Sequence, residues 1–443
     1  MAGERVVVLG GGSTGEALVS AVREYEPDTP VTLVERELVG GECSYWACMP
    51  TKGMLRPVEA VAAARNVPGA AEAVTGAVSW EGVLRHRDAI TGRGDDSSQE
   101  QWLASKGAEL VRGEGCVAEH GVIEAAGRRI AYGRLVIATG SVPSVPPIDG
   151  LEEVEYWTNR EATSAREIPA GLIVLGAGPV GCELAQFFRR MGSEVAIVDV
   201  ADRLLPRDHP DAGKLLARFL QEEGITLHLG EAVERVEPGV RLHRASGEVV
   251  EGERLLVAAG RRANTQGFGF ERLGVTIGRG GIEVDDRMRA ADGVWAIGDV
   301  NGIAMFTHVG KYQARVAAAD MAGRPARADH RAVPAVTFTD PQVASVGRTT
   351  GDGLVTGERA IDAVSRTSTY ERPKRPGFLK LFADPERGVL VGAVAVGPEA
   401  GEWLGQLTLA VRAEVPVEVL RDTIQPYPTF SEAIQFAARD LPL

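Results

Sequence analysis

The stretch Arg5-Val6-Val7-Val8-Leu9-Gly10-Gly11-Gly12-Ser13-Thr14-Gly15 decides how the first part of the chain folds. Its run of valines is typical of a buried parallel strand, and an alanine-rich helical segment follows the glycines. In the loop, Gly10 makes a tight turn, Gly12 lets the backbone approach a pyrophosphate, and Gly15 lets helix and strand pack closely. The stretch therefore predicts a strand, a loop and a helix that together bind a dinucleotide.

The next strand strengthens that prediction. Val31-Thr32-Leu33-Val34 ends on Glu35, and Arg36 follows directly. An acid at this place in a dinucleotide-binding unit accepts hydrogen bonds from the adenosine ribose. A glycine loop alone is a weak signal, so the combination of loop and acid carries the prediction.

A second nucleotide unit begins at the strand 171–175, which continues into Gly176-Ala177-Gly178-Pro179-Val180-Gly181 and a helix. The glycine spacing repeats that of the first loop. The following strand ends on Asp199, whose charge would repel a 2'-phosphate, so NADH is favoured over NADPH. Arg203 and Arg207 could still approach a phosphate, which leaves NADPH open.

Between the two loops, the stretch Gly40-Gly41-Glu42-Cys43-Ser44-Tyr45-Trp46-Ala47-Cys48-Met49-Pro50-Thr51-Lys52 holds two of the four cysteines. If this stretch begins a helix, Cys43 and Cys48 lie about one turn apart, and their sulfurs can bond across a slightly distorted turn. Such a small ring stabilises the fold little and suits redox cycling. The alternatives are two buried thiols or half of a zinc site. No second Cys or His pair stands nearby at ligand spacing, so no metal site is predicted, and the neighbouring nucleotide motifs favour the redox interpretation.

The composition limits the class of protein. At 443 residues the chain is long enough for about two to four domains. Its net charge of -13 and its pI near 5.2 argue against nucleic-acid binding, which needs a basic surface. No apolar run reaches membrane-spanning length, and the start Met-Ala-Gly-Glu-Arg has no signal-peptide character. The low cysteine number fits a reducing compartment, so we expect a cytoplasmic protein without nucleic-acid or membrane partners.

The remaining motifs divide the chain further. One strand closes in Ala138-Thr139-Gly140-Ser141, and the second nucleotide unit closes in Gly260-Arg261-Arg262. Val294-Trp295-Ala296-Ile297-Gly298-Asp299 is a strand that ends in an acid, at the edge where open parallel sheets bind ligands. From Val333 onward, strands and then two helices follow without a nucleotide motif, as in an assembly domain. The predicted fold is α/β, with two Rossmann-like dinucleotide-binding domains plus a C-terminal α+β dimerisation domain.

Together these residues make the chain resemble the FAD-dependent pyridine nucleotide-disulfide oxidoreductases, the family of glutathione reductase, dihydrolipoamide dehydrogenase and mercuric reductase. The resemblance covers essentially the whole length. Besides the glycine loops and the cysteine stretch, it is carried by Ala138-Thr139-Gly140, Gly260-Arg261-Arg262, Ala296-Ile297-Gly298-Asp299, Phe338-Thr339-Asp340-Pro341, and Tyr427-Pro428-Thr429 with Glu432.

The resemblance implies a domain order and two cofactors, FAD and NADH or NADPH. An FAD-binding domain would span 1–150 and an NAD(P)H-binding domain 151–267. A central segment, 268–330, would return to the FAD domain, and 331–443 would form the dimerisation domain of a homodimer with an active site shared across subunits. The cofactor-binding residues would be Gly10, Gly12, Ser13, Thr14, Gly15, Glu35, Arg36, Gly41, Glu42, Thr139, Gly140, Gly176, Gly178, Gly181, Asp199, Gly260, Arg261, Gly298, Asp299 and His308.

The resemblance also implies catalytic roles. Hydride would pass from NAD(P)H to FAD, and electrons would then open the bond between Cys43 and Cys48. Cys48 would lie over the flavin, while Cys43 would exchange with the substrate. Lys52 and Glu183 would form an ion pair near the reactive flavin nitrogen, where a positive charge favours the reduced, anionic flavin.

One departure from the family bears on the substrate. The disulfide reductases have a His where this chain has Tyr427, held by the glutamate matched by Glu432 and reaching the cysteines of the other subunit. A phenol is a poor proton shuttle near neutral pH, so exchange with ordinary disulfides should be slow. Mercuric reductase is similar in having a tyrosine here, but its paired C-terminal cysteines are missing from Arg439-Asp440-Leu441-Pro442-Leu443. The small-molecule electron acceptor is therefore open between a disulfide, a quinone and a metal ion, and a redox sensor without turnover is the minority alternative.

Overall fold

The computed structural model describes residues 5–371 and 375–443. The described chain separates into two compact units. The first unit contains the described part of Met1–Pro50 with Arg87–Ser144 and Arg261–Asp329, and the second contains Thr51–His86, Val145–Gly260 and the described part of His330–Leu443. The first four residues, which entered the signal-peptide argument, lie outside the described residues.

The described residues form 24 strands. These are β1 Val6–Leu9, β2 Val31–Glu35, β3 Ala108–Arg112, β4 Gly115–Glu119, β5 Val122–Ala125, β6 Arg128–Ala131, β7 Arg134–Ile137, β8 Ser141–Pro143, β9 Tyr156–Trp157, β10 Gly171–Leu175, β11 Glu194–Asp199, β12 Thr226–Leu229, β13 Val233–Glu237, β14 Arg241–Arg244, β15 Val249–Glu251, β16 Arg254–Val257, β17 Arg261–Ala263, β18 Arg289–Ala291, β19 Val294–Ala296, β20 Pro334–Thr337, β21 Gln342–Gly347, β22 Val355–Ala360, β23 Phe378–Asp384 and β24 Val389–Gly397.

The same residues form 13 α-helices, with short 3-10 turns between some of them. The helices are α1 Ser13–Tyr25, α2 Gly41–Tyr45, α3 Cys48–Arg65, α4 Trp80–Thr91, α5 Ser97–Ser105, α6 Asn159–Ser164, α7 Pro179–Arg190, α8 Pro210–Glu222, α9 Thr307–Met321, α10 Thr367–Tyr370, α11 Ala400–Arg412, α12 Val417–Asp422 and α13 Glu432–Arg439.

A six-stranded sheet forms the centre of the first unit, in the order β18-β19-β7-β1-β2-β3. Its strands run parallel except β18, which is antiparallel to β19. Val6 and Val8 pack in one core with α1 and α9, whereas Val7 and Leu9 pack in a second core with the antiparallel meander β4-β5-β6. Because both faces of the sheet are covered, β1 is apolar at every position.

The second unit repeats this plan around a parallel five-stranded sheet, in the order β12-β11-β10-β16-β9. Leu172 and Val174 of β10 pack in a core with α7, and Ile173 and Leu175 pack in a core with the antiparallel meander β13-β14-β15. A glycine loop therefore follows the central strand of each parallel sheet.

The C-terminal part of the second unit has a different architecture. Its antiparallel sheet has the order β20-β21-β24-β23-β22, and α11, α12 and α13 pack against it. Leu381, Leu404 and Ile434 belong to this core. Two parallel sheets that each follow the β-loop-α plan, together with this α+β module, confirm the predicted fold class.

The domain boundaries stay a prediction. Residues 51–86 and 145–150 of the predicted FAD domain belong to the second unit. That unit also contains residues 151–260 of the predicted NAD(P)H domain and the described part of the predicted dimerisation domain, whereas residues 261–267 belong to the first unit. The predicted central segment supplies β18 and β19 to the sheet of the first unit. Among the described helices, none combines the length and the apolar character needed to cross a bilayer.

Candidate functional site

The first glycine loop joins β1 to α1. Gly10 has φ +111°, which side chains rarely adopt, and a Cβ there would collide with the carbonyl oxygen of Ala138. A Cβ on Gly15 would collide with the carbonyl oxygen of Gly10, so Gly15 is what lets α1 pack on the loop. Gly12 is different, because the space around its Cα is open and it begins α1 without a side-chain cap. The open space beside the helix start fits a phosphate group.

Ser13 and Thr14 form the first turn of α1, where backbone N–H groups have no carbonyl partner within the helix. Gly41 and Gly298 lie against this turn. A Cβ on Gly41 would stand 2.8 Å from the Cα of Gly12, and one on Gly298 would stand 2.9 Å from the Thr14 hydroxyl oxygen. The structure therefore brings these predicted cofactor residues together around the start of one helix.

Glu35 ends β2 beside the same loop. Its Oε2 accepts a hydrogen bond from the N–H of Gly11 (2.6 Å), and its Oε1 accepts one from the N–H of Glu37 (2.7 Å). Arg36 points to a different partner, Glu114, at 3.5 Å. The acid is thus held at the loop by backbone donors, while Arg36 takes part in a surface ion pair.

Thr139 and Gly140, which follow β7, are tied to a residue much later in the chain. The Thr139 hydroxyl donates to the carbonyl oxygen of Asn264 (2.7 Å), and the Asn264 N–H donates to the carbonyl oxygen of Gly140 (3.0 Å). These bonds fix the strand-end loop against the β17 segment.

Asp299 lies at the centre of a small polar network in the first unit. The Ser141 hydroxyl donates to Oδ2 of Asp299 (2.6 Å) and accepts from Nε of Arg261 (2.8 Å). The Arg261 guanidinium also lies 3.5 Å from Oε2 of Glu42. Burial raises the pKa of Asp299, while the Ser141 hydrogen bond and the Arg261 charge oppose that rise. Three predicted cofactor residues, Glu42, Arg261 and Asp299, are therefore neighbours.

The two cysteines lie on separate helices, which differs from the single distorted turn expected from their spacing. Cys43 is inside α2, and Cys48 is the first residue of α3. Trp46 interrupts the helical path with φ -135° and ψ -1°. The Cys43 and Cys48 side chains nevertheless hydrogen-bond each other, and no disulfide joins these two described residues. The break brings together two thiols that five residues of regular helix would stagger.

Thr307, the first residue of α9, completes the thiol site. Its hydroxyl oxygen lies 3.6 Å from Sγ of Cys48. The hydrogen bond to Cys48 is the largest influence on Cys43 and raises the pKa of its thiol, and burial raises it further. A hydrogen bond from Thr307 and the charge of Lys311 act in the opposite direction. The site thus contains groups that favour a thiolate at Cys43 and groups that oppose it.

A cavity of about 540 Å³ lies between α1 and α9 in the first unit. Its lining includes Glu16, His308 and Lys311. Burial raises the pKa of Glu16 to about 7, and the positive charge of Lys311 opposes the rise. The His308 ring stacks on Phe306 with 5.2 Å between ring centroids. The cavity therefore carries titratable groups of both signs.

The second glycine loop repeats the construction of the first. Gly176 has φ +128°, and a Cβ on Gly181 would collide with the carbonyl oxygen of Gly176, whereas Gly178 has open space around it. Asp199 at the end of β11 accepts from the N–H of Ala177 (2.6 Å) and from the N–H of Ala201 (2.7 Å). Gly260, after β16, also has open space around its Cα. Asp199 and Glu35 therefore make matching pairs of backbone contacts in the two nucleotide units.

The ion pair predicted between Lys52 and Glu183 is present in the second unit. The Lys52 Nζ lies 2.8 Å from Oε2 of Glu183, whose residue is only 3% exposed. The other carboxylate oxygen accepts the N–H of Phe338 at 2.8 Å, and the Lys52 Nζ lies 4.7 Å from the Phe338 ring centroid. The carboxylate is thereby held by one charge and one backbone donor.

Tyr427 and Glu432 lie in the C-terminal module. Tyr427 is 76% exposed. Glu432 begins α13, and its Oε2 accepts the N–H of Thr429 at 3.3 Å. This contact braces the turn before α13. Action of these two residues across a subunit interface stays a prediction.

Sequence reasoning missed Thr307, Glu16 and Lys311 as site residues. The stretch around 306–311 drew attention only to His308, and Glu16 stands one residue beyond the glycine motif. No spacing rule connects α1 with α9, so only the packing of these helices shows that their side chains share one site. The described residues hold no cluster of three or more His, Cys, Asp or Glu side chains that could bind a metal ion.

Two family models match the chain. Residues 4–322 match the model described as pyridine nucleotide-disulphide oxidoreductase, and residues 333–438 match the dimerisation domain of the same family. The second match coincides with the α+β module and supports a homodimer.

Similar proteins agree with these matches. The chain is 31% identical to dihydrolipoyl dehydrogenase 2 of Haloarcula marismortui, over 98% of this chain and 96% of that protein. It is 31% identical to mercuric reductase of Staphylococcus aureus, over 96% of this chain and 81% of that protein. Among solved structures, LpdA from Mycobacterium tuberculosis superposes with a TM-score of 0.87 at 27% identity, over 98% of this chain and 99% of that chain.

Proposed function

The chain belongs to the pyridine nucleotide-disulphide oxidoreductase family, and on this premise we propose that it passes electrons from NADH, through FAD and the Cys43/Cys48 pair, to a small-molecule disulfide. As a member of that family it is an FAD-dependent NAD(P)H oxidoreductase of the class that acts on sulfur groups. The acceptor, the preference for NADH and the roles of single residues are the proposed parts.

The residues of the first unit fit FAD. The open backbone at Gly12 and the first-turn N–H groups of Ser13 and Thr14 would hold its pyrophosphate, and Glu35 would meet its ribose. When bound, FAD would take hydride from the nicotinamide and pass two electrons to the cysteine pair. Asp299 lies in the 3-10 turn Gly298–Asn301 that follows β19, and not within the strand as expected from the sequence; there it would accept a hydroxyl hydrogen bond from the same cofactor.

The observation that carries the proposal is the hydrogen-bonded thiol pair at Cys43 and Cys48. The Cys43 thiolate would attack an acceptor disulfide and release one thiolate. Cys48 would then attack the mixed disulfide at Cys43, release the second thiolate and leave an oxidised Cys43/Cys48 pair. The acceptor gains two electrons and two protons in this exchange. Thr307 supports the first step, because its hydrogen bond favours the thiolate at Cys43.

The Lys52 and Glu183 pair would supply positive charge where the reduced cofactor becomes negative. Asp199 supports NADH over NADPH, because a 2'-phosphate would meet its carboxylate. The carboxylates of Glu183 and Asp199 each accept a hydrogen bond from a backbone N–H group. Moving either carboxylate would break that bond.

A shared active site is the second structural part of the proposal. Tyr427 and Glu432 of one subunit would act at the cysteine pair of the other. Tyr427 is 76% exposed in the single chain, and Ile424 and Leu409 in the same module are 93% and 67% exposed. All three residues lie within 333–438, the part of the chain that matches the dimerisation domain of the family, which supports a subunit interface here.

A second candidate function is reduction of a quinone or a metal ion. Tyr427 favours it, because such acceptors need no acid to protonate a leaving thiolate. The similarity to a mercuric reductase fits the metal-ion form of this candidate. A redox sensor without turnover remains the minority proposal. The low cysteine number supports a reducing, cytoplasmic location, whichever of these three functions the protein has.

Steady-state NADH consumption separates these candidates. Lipoamide and oxidised glutathione serve as disulfide probes, and menadione and Hg²⁺ represent the other acceptors. We expect disulfide-dependent consumption that falls at least ~10³-fold in Cys43→Ser and in Cys48→Ser, because the thiol nucleophile is lost. Cys116→Ser, which removes a cysteine outside the pair, should retain the wild-type rate.

The other outcomes are equally informative. Consumption with menadione or Hg²⁺ alone, unchanged in Cys43→Ser, would replace the disulfide proposal by the second candidate. FAD-loaded protein that NADH reduces once, without turnover on any probe, would favour the sensor.

A further inference from the structure

Helix α7 holds the segment 338–340 along one of its faces. Glu183, Gln186 and Arg190 are three and four residues apart, so their side chains project from the same side of the helix. All three contact the backbone or the side chains of this segment. Only Glu183 was predicted from the sequence to have a role.

The contact at Glu183 links this segment to the ion pair. One carboxylate oxygen of Glu183 pairs with Lys52, and the other accepts the N–H of Phe338, both at 2.8 Å. The carboxylate plane is thus set by two partners on opposite edges. A shift of the Phe338 backbone would rotate the carboxylate and move the oxygen that faces Lys52.

Gln186 holds the Asp340 backbone through both the oxygen and the nitrogen of its side-chain amide. Its side-chain oxygen accepts the N–H of Asp340 at 2.8 Å, and its side-chain nitrogen donates to the carbonyl oxygen of Asp340 at 2.8 Å. The same nitrogen donates to Oε1 of Glu223 at 2.9 Å. Gln186 is 1% exposed, so water cannot easily replace these bonds.

Two arginines hold the Asp340 side chain. Arg190 lies 2.8 Å from Oδ2, and Arg375 lies 2.8 Å from Oδ1. Each arginine also pairs with a glutamate, Glu223 or Glu371. Burial alone would raise the pKa of Asp340, but the two guanidiniums outweigh it and lower the pKa. The carboxylate therefore stays charged and bound near neutral pH.

We propose that Gln186, together with Arg190 and Asp340, positions the Phe338 backbone so that Glu183 keeps Lys52 in place for its action on the cofactor. The inference rests on the proposed function in taking the Lys52 and Glu183 pair to act on FAD. Gln186 is a positioning residue, since it touches neither Lys52 nor a reacting atom. A mere packing role would change stability and leave the properties of bound FAD unaltered.

The test compares Gln186→Met with Glu183→Gln in the FAD-loaded protein. Methionine keeps the approximate volume of Gln186 and removes both of its bonds to Asp340. Arg189→Met is the matched control on the same helix, because Arg189 bonds the carbonyl oxygens of Glu223 and Ser193 and not the 338–340 segment. The readouts are the midpoint potential of bound FAD and its rate of reduction by NADH in a single turnover.

We expect Gln186→Met to slow FAD reduction by roughly ten- to a hundredfold, because small misplacements of a charged group near a reacting centre have effects of this size. The midpoint potential should fall, because a displaced Lys52 would no longer hold its positive charge where the reduced cofactor becomes negative. Arg189→Met should keep the wild-type potential and a rate within about twofold of wild type.

A folded Gln186→Met protein with wild-type potential and rate, beside an altered Glu183→Gln protein, would overturn the inference. If circular dichroism shows that Gln186→Met is unfolded, Gln186→Leu takes its place, since it adds no charge and also removes both bonds to Asp340. An unchanged potential in that variant would overturn the inference as well. Failure of the proposed function is recognisable in the wild-type protein, which would then bind no FAD or would not be reduced by NADH.

Discussion

The Sγ of Cys48 lies 3.6 Å from the hydroxyl oxygen of Thr307, although the two residues are 259 positions apart in the sequence. The hydrogen bond to Cys48 and burial raise the pKa of Cys43, and a hydrogen bond from the same Thr307 hydroxyl opposes that rise. The Thr307 side chain on α9 therefore interacts with both thiols of the pair.

Replacing that hydroxyl should change thiol reactivity. We expect Thr307→Val to raise the pKa of Cys43, because a hydrogen bond that stabilises its thiolate is lost. Alkylation of the reduced protein by iodoacetamide should slow roughly two- to tenfold at pH below that pKa, since one hydrogen bond is worth about 0.5–1.5 kcal/mol. Thr307→Ser keeps the hydroxyl and should match wild type. Identical pH–rate curves for the valine and serine variants would contradict this assignment.

The two ends of the first glycine motif should respond differently to an added methyl group. Gly15→Ala should lower the melting temperature, because its Cβ would collide with the Gly10 carbonyl oxygen. Gly12→Ala meets nothing in the protein and should fold normally, yet its methyl would occupy the proposed pyrophosphate site. We expect it to be purified with little FAD. Full FAD retention in Gly12→Ala would argue against the proposed position of the cofactor.

Asp199 should set the preference for the nicotinamide. We expect a higher kcat/KM with NADH than with NADPH. Asp199→Asn should lower the ratio of these two kcat/KM values by roughly tenfold, because the repulsion between the carboxylate and a 2'-phosphate is removed. Glu35→Gln is the matched control, because Glu35 makes the equivalent contacts in the first loop. It should weaken FAD retention and leave the ratio unchanged. A ratio that is insensitive to Asp199→Asn would assign the preference to other residues.

The pKa of Glu16 should make stability depend on pH. Its carboxyl has an ordinary pKa of 4.5 and a value of about 7 in the folded chain, so the folded state binds the extra proton between these values. Stability should therefore decline as the pH rises from about 4.5 to about 7, by up to roughly 1–3 kcal/mol. Glu16→Gln should raise the melting temperature at pH 8 and change it little at pH 4.5. Glu24→Gln, an exposed carboxylate on the same helix, should have no such effect; equal shifts in both variants would point to net charge alone.

Tyr427 provides a test of the proton step. Tyr427→His should raise turnover of lipoamide or oxidised glutathione several-fold near pH 7, because an imidazole can protonate a leaving thiolate there. Tyr427→Phe lacks a proton donor and should show no gain. The variants are compared at equal FAD content and with the dimer verified by light scattering. If Tyr427→His shows no gain in turnover under these conditions, the lack of a proton donor at position 427 is not the reason that disulfide exchange is slow.

Local spacing was sufficient for the main architectural prediction. The valine run with Gly10, Gly12 and Gly15 predicts a strand, a turn and a helix, because this spacing of glycines after an apolar run is typical of a dinucleotide loop. The contact between Gly15 and the Gly10 carbonyl oxygen lies within that loop. The same logic located the second loop at Gly176. Cys43 and Cys48 were also recognised as a pair from local spacing, since they stand five positions apart.

Local spacing did not predict which other residues would surround the site residues in the folded chain. The break at Trp46, which puts the two cysteines on separate helices, follows no rule of helical periodicity. Gln186 is an ordinary residue in an amphipathic helix until the Asp340 backbone is seen to lie against it.

The sequence by itself determined the α/β class, the two dinucleotide loops and the cysteine pair, because each of these is indicated by a pattern of residue types within a short stretch of the chain. Only the tertiary structure decided that Thr307 lies beside Cys48 and that the 338–340 segment braces Glu183. Hydrogen bonds between distant segments depend on how whole helices and sheets pack, and that packing is a property of the complete core and of no single motif.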